Sequence, residues 1–317
     1  MKDKLILGSR GSRLALWQTR FTAHLLQSFY PSLELEIKII ETTGDAILEI
    51  ALSKIGDKGL FTKQIEEKLL QGEIDLAVHS LKDLPTLLPA GLTIGAVLER
   101  EVPNDVLIAK HSATIDDLPP NAHVGTGSLR RKSQLLAYRT DLQISEIRGN
   151  VPTRIKKFEE SNLDAIILAF AGVHRLELDS YITQIIPPEI VLPAVAQGVV
   201  GIEVRTDDLK TRKLLESIID KETEICISAE RSFLRELEGG CQVPIGGFAR
   251  LDGKEILLEG FVGNFDGSLT MRDKISGNCQ NAAQIGKDLA ARMIENGANE
   301  LLAATREASE SSRRKVV

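Results

Sequence analysis

Ile74-Asp75-Leu76-Ala77-Val78-His79-Ser80-Leu81-Lys82-Asp83-Leu84-Pro85 is the stretch on which the reading of the fold turns. Residues 74–78 are a short apolar run of strand length, and they read as a buried strand. Polar residues follow at once, and in an open α/β sheet ligands bind outside the carboxyl ends of the strands. Ser80, Lys82 and Asp83 therefore stand where such folds do chemistry. A Lys-Asp pair in a turn also reads as a surface salt bridge, and His79 reads equally well as a satisfied core histidine. The stretch alone leaves both open.

The same strand-turn-helix order occurs elsewhere. Residues 4–8 read as a buried strand ending in the polar turn Ser9-Arg10-Gly11-Ser12. A helix follows, with Leu14, Trp17, Phe21, Leu25 and Phe29 at helical spacing, Ser12 as its N-cap and Trp17 as core. Arg10 lies at the junction, where free N–H groups and the helix dipole favour an anion; a solvated surface arginine is the plain alternative. Residues 33–41 alternate as a strand, and residues 42–59 form a long polar loop carrying Lys54 and Lys58. Loops of that length are uncommon unless functional or disordered, and the apolar residues within this one suit a partly ordered lid. A helix over residues 62–71 stops at Gly72.

Two extended segments, residues 93–100 and 105–110, flank Val102-Pro103-Asn104 and suit a crossing between domains. A second unit then starts with Gly125-Thr126-Gly127-Ser128-Leu129-Arg130-Arg131, which has the glycines, hydroxyls and helix N-terminus of an anion site. It lacks the Gly-Lys-Ser/Thr of a Walker A loop. Consecutive arginines on a helix are not expected to share a face, so one of the pair is expected to meet a ligand. A strand over residues 144–147 closes on Arg148, Pro152 suits a helix first turn that also carries Arg154, and a strand over residues 164–169 leads to Arg175. Arg10, Arg130, Arg131, Arg148, Arg154 and Arg175 thus fall at or just after strand ends. A parallel sheet would gather them at one edge as a cationic cleft, and arginine grips carboxylates with two hydrogen bonds.

Residues 192–205 read as a return crossing into the first domain. A helical pattern covers 207–219; a second over 222–237, strand-like runs over 245–251, 255–264 and 268–275, and a helix over 282–295 describe a separate α+β domain. Residues 307–317 are expected as a frayed tail. Between helix and strands, Glu238-Gly239-Gly240-Cys241-Gln242-Val243-Pro244-Ile245-Gly246-Gly247 sets a thiol among glycines, which permit positive φ and close approach. A small buried hydrophobe is the plain reading of a free cysteine; Asp83 and the arginines would give this one a task. Cys226 reads as core and Cys279 as inert.

Composition excludes several classes. With 317 residues the chain can hold two or three domains with their own cores. Its 43% apolar and 26% charged residues are those of an ordinary globular protein. It has no apolar run of about 18 residues to span a membrane. The start, Met1-Lys2-Asp3-Lys4, has no signal-peptide pattern, so a cytoplasmic location is expected. A net charge of −6 disfavours general nucleic-acid binding. Three unpaired cysteines and scattered histidines argue against a disulfide framework or a metal site.

Taken together, the blocks SRGSRLALWQ, TTGD, KGLFTKQIE, DLAVHSLKDLP, GTGSLRRKSQL, RGNVPTR, DAIILAFAGVHRL, LPAVAQG and LEGGCQVPIGG resemble, in order and spacing, the porphobilinogen deaminase (hydroxymethylbilane synthase) family. The resemblance covers nearly the whole chain. It implies two α/β domains like those of type II periplasmic binding proteins, residues 1–99 with 199–218 and residues 104–193, and a small α+β domain over residues 221–306. It implies a transferase that deaminates four porphobilinogen molecules and joins them head to tail on a dipyrromethane cofactor, releasing hydroxymethylbilane for tetrapyrrole and haem biosynthesis. Cys241 would hold the cofactor through a thioether. Asp83 would hold pyrrole N–H groups and stabilise positive charge, while Lys82 holds cofactor side chains. Arg10, Ser12, Lys54, Lys58, Ser80, Thr126, Ser128, Arg130, Arg131, Arg148, Arg154, Arg175 and Gln197 would bind the acetates and propionates. Gly127 and Arg13 depart from the family pattern, where serine and proline are common. A monomer acting on a small molecule, without nucleic acid or membrane, is expected.

Two other readings compete. A non-catalytic binding protein for polycarboxylate anions explains the arginines but gives Cys241 no task. A cysteine-dependent hydrolase needs a base near the thiol, and no histidine follows His174.

Overall fold

The computed structural model describes residues 2–42, 62–237 and 243–314, so Lys54, Lys58, Cys241 and the expected lid lie outside the described residues. Two compact units result among them: residues 2–42 and 62–101 with Gly198–Glu224, and Val102–Gln197 with the described residues from Ile225 onward.

The first unit contains β1 (Lys4–Ser9), α1 (Arg13–Phe29), β2 (Glu34–Ile39), α2 (Lys63–Leu70), β3 (Leu76–Ser80), β4 (Leu92–Val97), β10 (Val200–Arg205) and α6 (Leu209–Leu215). Its sheet has the order β2-β1-β3-β10-β4. Strands β1, β2 and β3 are parallel, whereas β10 runs antiparallel to both β3 and β4. Leu5, Leu7, Leu76, Val78, Ile202 and Val204 are buried, because a sheet covered on both faces needs apolar residues throughout its central strands.

Helix α1 is rotated from its expected setting. It buries Ala15, Gln18, Thr19, Thr22 and Leu26, while Phe21 and Phe29 are 38% and 56% exposed. Trp17 is half-buried and stacks on Phe21 with ring centroids 5.1 Å apart. The small residues let the helix lie close to the sheet. Thr19 and Thr22 satisfy their hydroxyls by donating to the carbonyls of Ala15 and Gln18, each at 2.9 Å, the back-bonding that lets a polar helix face be buried.

The second unit contains β5 (Asp105–Ala109), β6 (His123–Gly125), α3 (Leu129–Tyr138), β7 (Gln143–Ser145), α4 (Val151–Glu159), β8 (Ala165–Ala169), α5 (Phe170–His174) and β9 (Gln184–Ile185). Their order is β7-β6-β8-β5-β9, the topology of the first sheet repeated. Here β5 is the strand running against β8. The expectation of parallel sheets is corrected on this point: each sheet takes one reversed strand, the one by which the chain enters it after a crossing. Ser128 and Asn150 cap α3 and α4, with a proline in the first turn of α4.

The same unit holds α7 (Lys221–Glu236), the antiparallel meander β11 (Ile245–Asp252), β12 (Glu255–Gly263) and β13 (Thr270–Asn278), then α8 (Ala282–Glu295) and α9 (Ala298–Arg314). Phe233, Ile256, Leu258, Leu289 and Met293 form a core between sheet and helices. The expectation of a frayed tail from residue 307 is corrected: residues 307–314 continue α9, and residues 315–317 lie outside the described residues. The fold class is therefore the expected one in its architecture, two α/β sheets and a smaller α+β part.

Candidate active site

In the first unit the carboxyl edge of the sheet carries the expected polar residues. Ser12 caps α1, its hydroxyl accepting from the Ala15 N–H at 3.3 Å, and half-buried Arg10 precedes it. After β3 the chain makes one tight turn, Leu81–Asp83. Buried Leu81 donates its N–H to the Val199 carbonyl at 3.0 Å, and buried Leu84 donates back to the Leu81 carbonyl at 3.2 Å. Between these two anchors Lys82 is half-buried and Asp83 is exposed. A carboxylate is thus held out of a backbone that its apolar neighbours fix.

Ser80 is set by a residue that sequence reasoning missed. Gln18, 2% exposed, donates from Nε2 to the Ser80 hydroxyl at 2.9 Å. His79 is a satisfied core histidine, its Nε2 3.1 Å from Glu203 Oε2.

In the second unit the reversed direction of β5 puts Asp105, its first residue, at the carboxyl edge among the arginines: Asp105 lies opposite Ala169, the last residue of β8. Arg130 and Arg131 both turn to it. Arg130 Nη1 is 2.8 Å from Asp105 Oδ2, and Arg131 Nη2 is 2.7 Å from Oδ1. Arg131 Nε also donates to Oδ1 at 3.0 Å, and Gln197 Nε2 donates to it at 2.9 Å. Asp105 and Gln197 are fully buried and each arginine is 5% exposed. Both guanidinium groups also reach main chain: Arg130 Nη1 donates to the Leu192 carbonyl at 2.6 Å and Arg131 Nη1 to Ile167 at 2.9 Å.

The expectation that the two arginines must diverge is therefore corrected. In the first turn of α3, long side chains from adjacent positions can converge on one atom pair lying beyond the helix end. Burial pushes the Asp105 carboxyl up, but the charges of Arg130 and Arg131 outweigh it and hold it well below the usual carboxylate range. Burial likewise lowers the Arg130 guanidinium, with Asp105 opposing. Around Asp105 two cations meet one anion, so the edge stays positive but less so than six arginines suggest.

The other expected residues occupy the same edge with local partners. Thr126 is buried and its hydroxyl accepts from the Ser128 N–H at 3.2 Å. Arg148 pairs with Glu146 at 3.2 Å, and Arg154 Nε donates to the Gly149 carbonyl at 2.7 Å. Arg175, just past α5, is 7% exposed. A second missed residue is Glu230 on α7, fully buried. Its carboxylate accepts the N–H of Ala249 on β11 at 2.8 Å and of Ala196 at 2.7 Å. Ala196, at φ 62°, adjoins Gln197, so this anion holds a left-handed alanine in place. Cys241 lies on the segment between α7 and β11.

A family model described as porphobilinogen deaminase, dipyromethane cofactor binding domain, matches residues 5–213, and one described as porphobilinogen deaminase, C-terminal domain, matches residues 224–295. The protein called porphobilinogen deaminase in Chlorobium phaeobacteroides (strain BS1) is 51% identical over 310 residues, which span 96% of this chain and 99% of the relative. That of Pelotomaculum thermopropionicum is 50% identical over 307 residues, spanning 97% and 98%. Among solved structures, the periplasmic aliphatic sulphonate binding protein SsuA from Escherichia coli aligns over 75% of this chain and 71% of its own at 16% identity, with a TM-score of 0.40.

Proposed function

The chain belongs to the porphobilinogen deaminase family, and from that premise we propose how its residues carry the reaction. It is a transferase of tetrapyrrole and haem biosynthesis, a hydroxymethylbilane synthase with a dipyrromethane cofactor. The alternative of a non-catalytic anion-binding protein is set aside, since relatives of half-identical sequence and full-length overlap are named for the deaminase.

The donor set fits the cofactor and the growing chain, whose rings each bear an acetate and a propionate. Hydroxyls (Ser12, Ser80, Thr126, Ser128) and cations (Arg10, Lys82, Arg148, Arg154, Arg175) stand at two sheet edges, and charge-assisted hydrogen bonds to carboxylates are the strong kind. Lys54 and Lys58 add to this set. Arg130, Arg131 and Gln197 contribute field and shape more than a free grip, because they embrace Asp105. Cys241 holds the cofactor by a thioether. Dipyrromethane supplies the free pyrrole carbon on which the product is built.

Asp83 is the catalytic carboxylate. It accepts hydrogen bonds from pyrrole N–H groups and stabilises the positive charge that develops as ammonia departs. Its exposure on a turn whose flanking residues are buried is the observation that carries the assignment. Asp83→Asn keeps size and hydrogen bonding but removes the charge. It is expected to lower turnover of porphobilinogen by about 10²–10³-fold while the cofactor stays attached; turnover near wild type would overturn the role. A three-domain cytoplasmic monomer completes the proposal.

A further inference from the structure

The catalytic reading leaves one buried titratable cluster unused. Glu66 on α2 is 8% exposed, and Glu203 on β10 and His79 on β3 are 0% and 6% exposed. Helix α2 packs on β3 and β10, with Ile65 and Leu69 against Ala77. Ala77 and His79 share that face, and Glu203 lies directly opposite Ala77 in the β3–β10 register. The three side chains therefore meet in the layer between helix and sheet. A carboxylate only accepts, so His79 Nε2 donates the 3.1 Å hydrogen bond to Glu203 Oε2. Glu203 Oε1 and Glu66 Oε1 are buried with no hydrogen-bond partner among the described residues.

Two buried carboxylates on adjoining elements, each with an oxygen lacking a donor, cannot both ionise at low cost. A single proton placed on one and shared with the other satisfies both orphaned oxygens. Burial pushes the Glu66 carboxyl up against the pull of Thr62, and among nearby charges Glu203 and Glu67 raise it while His79 lowers it.

We propose that Glu66 and Glu203 share one proton, and that this pair, acting through His79, positions the end of β3 from which Ser80, Lys82 and Asp83 project. His79 immediately precedes Ser80, and the cluster fixes β3 on β10 one residue before the turn. Glu203 and Glu66 are positioning residues, since neither touches the reacting atoms. Ionising Glu66 would put a second anion into the layer and loosen this anchor. The positioning half rests on the Asp83 assignment; the shared proton does not.

The test is Glu66→Gln, which mimics the protonated side chain, measured on the cofactor-loaded enzyme. Wild type carries a carboxyl that is protonated when folded and ionised when unfolded above about pH 4.3. Its stability must fall, relative to Glu66→Gln, as pH rises from there through the folded pKa. The melting-temperature gap should be small at pH 4.5, widen by about 3–5 °C per pH unit and level off once Glu66 ionises. A gap independent of pH, or wild type more stable throughout, overturns the shared proton. Should the variant not fold, the wild-type infrared spectrum decides: a protonated carboxyl band that persists above the pH at which exposed carboxylates have ionised supports the pair, and its absence there overturns it. For positioning, kcat of wild type should fall as Glu66 ionises while that of Glu66→Gln should not, with KM little changed in both; an identical pH profile for the two overturns that half. Because the melting arm needs no turnover, failure of the Asp83 assignment and failure of the proton pair remain distinguishable.

Discussion

Replacing Asp105 by asparagine tests the electrostatic reading of the arginine edge. The substitution keeps the shape of the side chain but leaves Arg130 and Arg131, each 5% exposed, without the anion that both contact at 2.7–2.8 Å. Removing one partner of a buried pair costs about 3–5 kcal/mol, chiefly because the remaining charge stays buried and uncompensated. Against a usual total of about 5–15 kcal/mol that is a large fraction. The second unit should thus unfold at distinctly lower urea concentration, followed by circular dichroism as a separate early transition.

The pH dependence gives the sign. The Asp105 carboxyl is held well below its unfolded value, so its contribution is fully present above about pH 4 and is lost as pH falls below that. The stability gap between wild type and Asp105→Asn should be constant from about pH 5 to 8 and should shrink on acidification below pH 4. An unchanged midpoint, or a gap that persists undiminished at pH 3, would refute the reasoning.

Other outcomes follow from individual contacts. Leu26→Ala should cost about 2–5 kcal/mol in urea unfolding, whereas Phe29→Gln should stay within about 0.5 kcal/mol, since α1 buries the former and exposes the latter. Ser12→Ala should cost about 1 kcal/mol by loss of the α1 cap; no change in melting would contradict the cap. Gly198→Ala should destabilise by more than about 1 kcal/mol, because φ there is +87° and a Cβ would press on the Glu101 carbonyl; equal or greater stability would count against that geometry.

What could be read from sequence depended on whether the signal was local. Strand β3 and the cap at Ser12 were legible because an apolar run and an N-cap are local patterns. The face of α1 was not, because its aromatic residues match helical spacing while the sheet accepts the small Thr19 and Thr22 with their hydroxyls bonded back. Asp105 escaped notice for a topological reason. Residues 105–110 read only as an extended segment of a crossing, and it is the reversal of β5 that brings Asp105 to the arginines. Its one sequence signal was an acidic residue leading a fully buried run, a placement that needs a cationic partner. Gln18 and Glu230 bond to groups 62, 34 and 19 residues away, which no periodicity reveals. The place of Asp83 just past a strand end was legible, because a polar turn after an apolar run is a local pattern.

The central claim is that Cys241 carries a dipyrromethane on which this chain builds a tetrapyrrole. Intact mass of the denatured protein, before and after supply of porphobilinogen and beside Cys241→Ser, tests it most directly. The account predicts an adduct of two substrate-derived pyrrole rings on the wild type and none on the variant. A wild-type mass unaltered after porphobilinogen is supplied, or an adduct that survives Cys241→Ser, would contradict it.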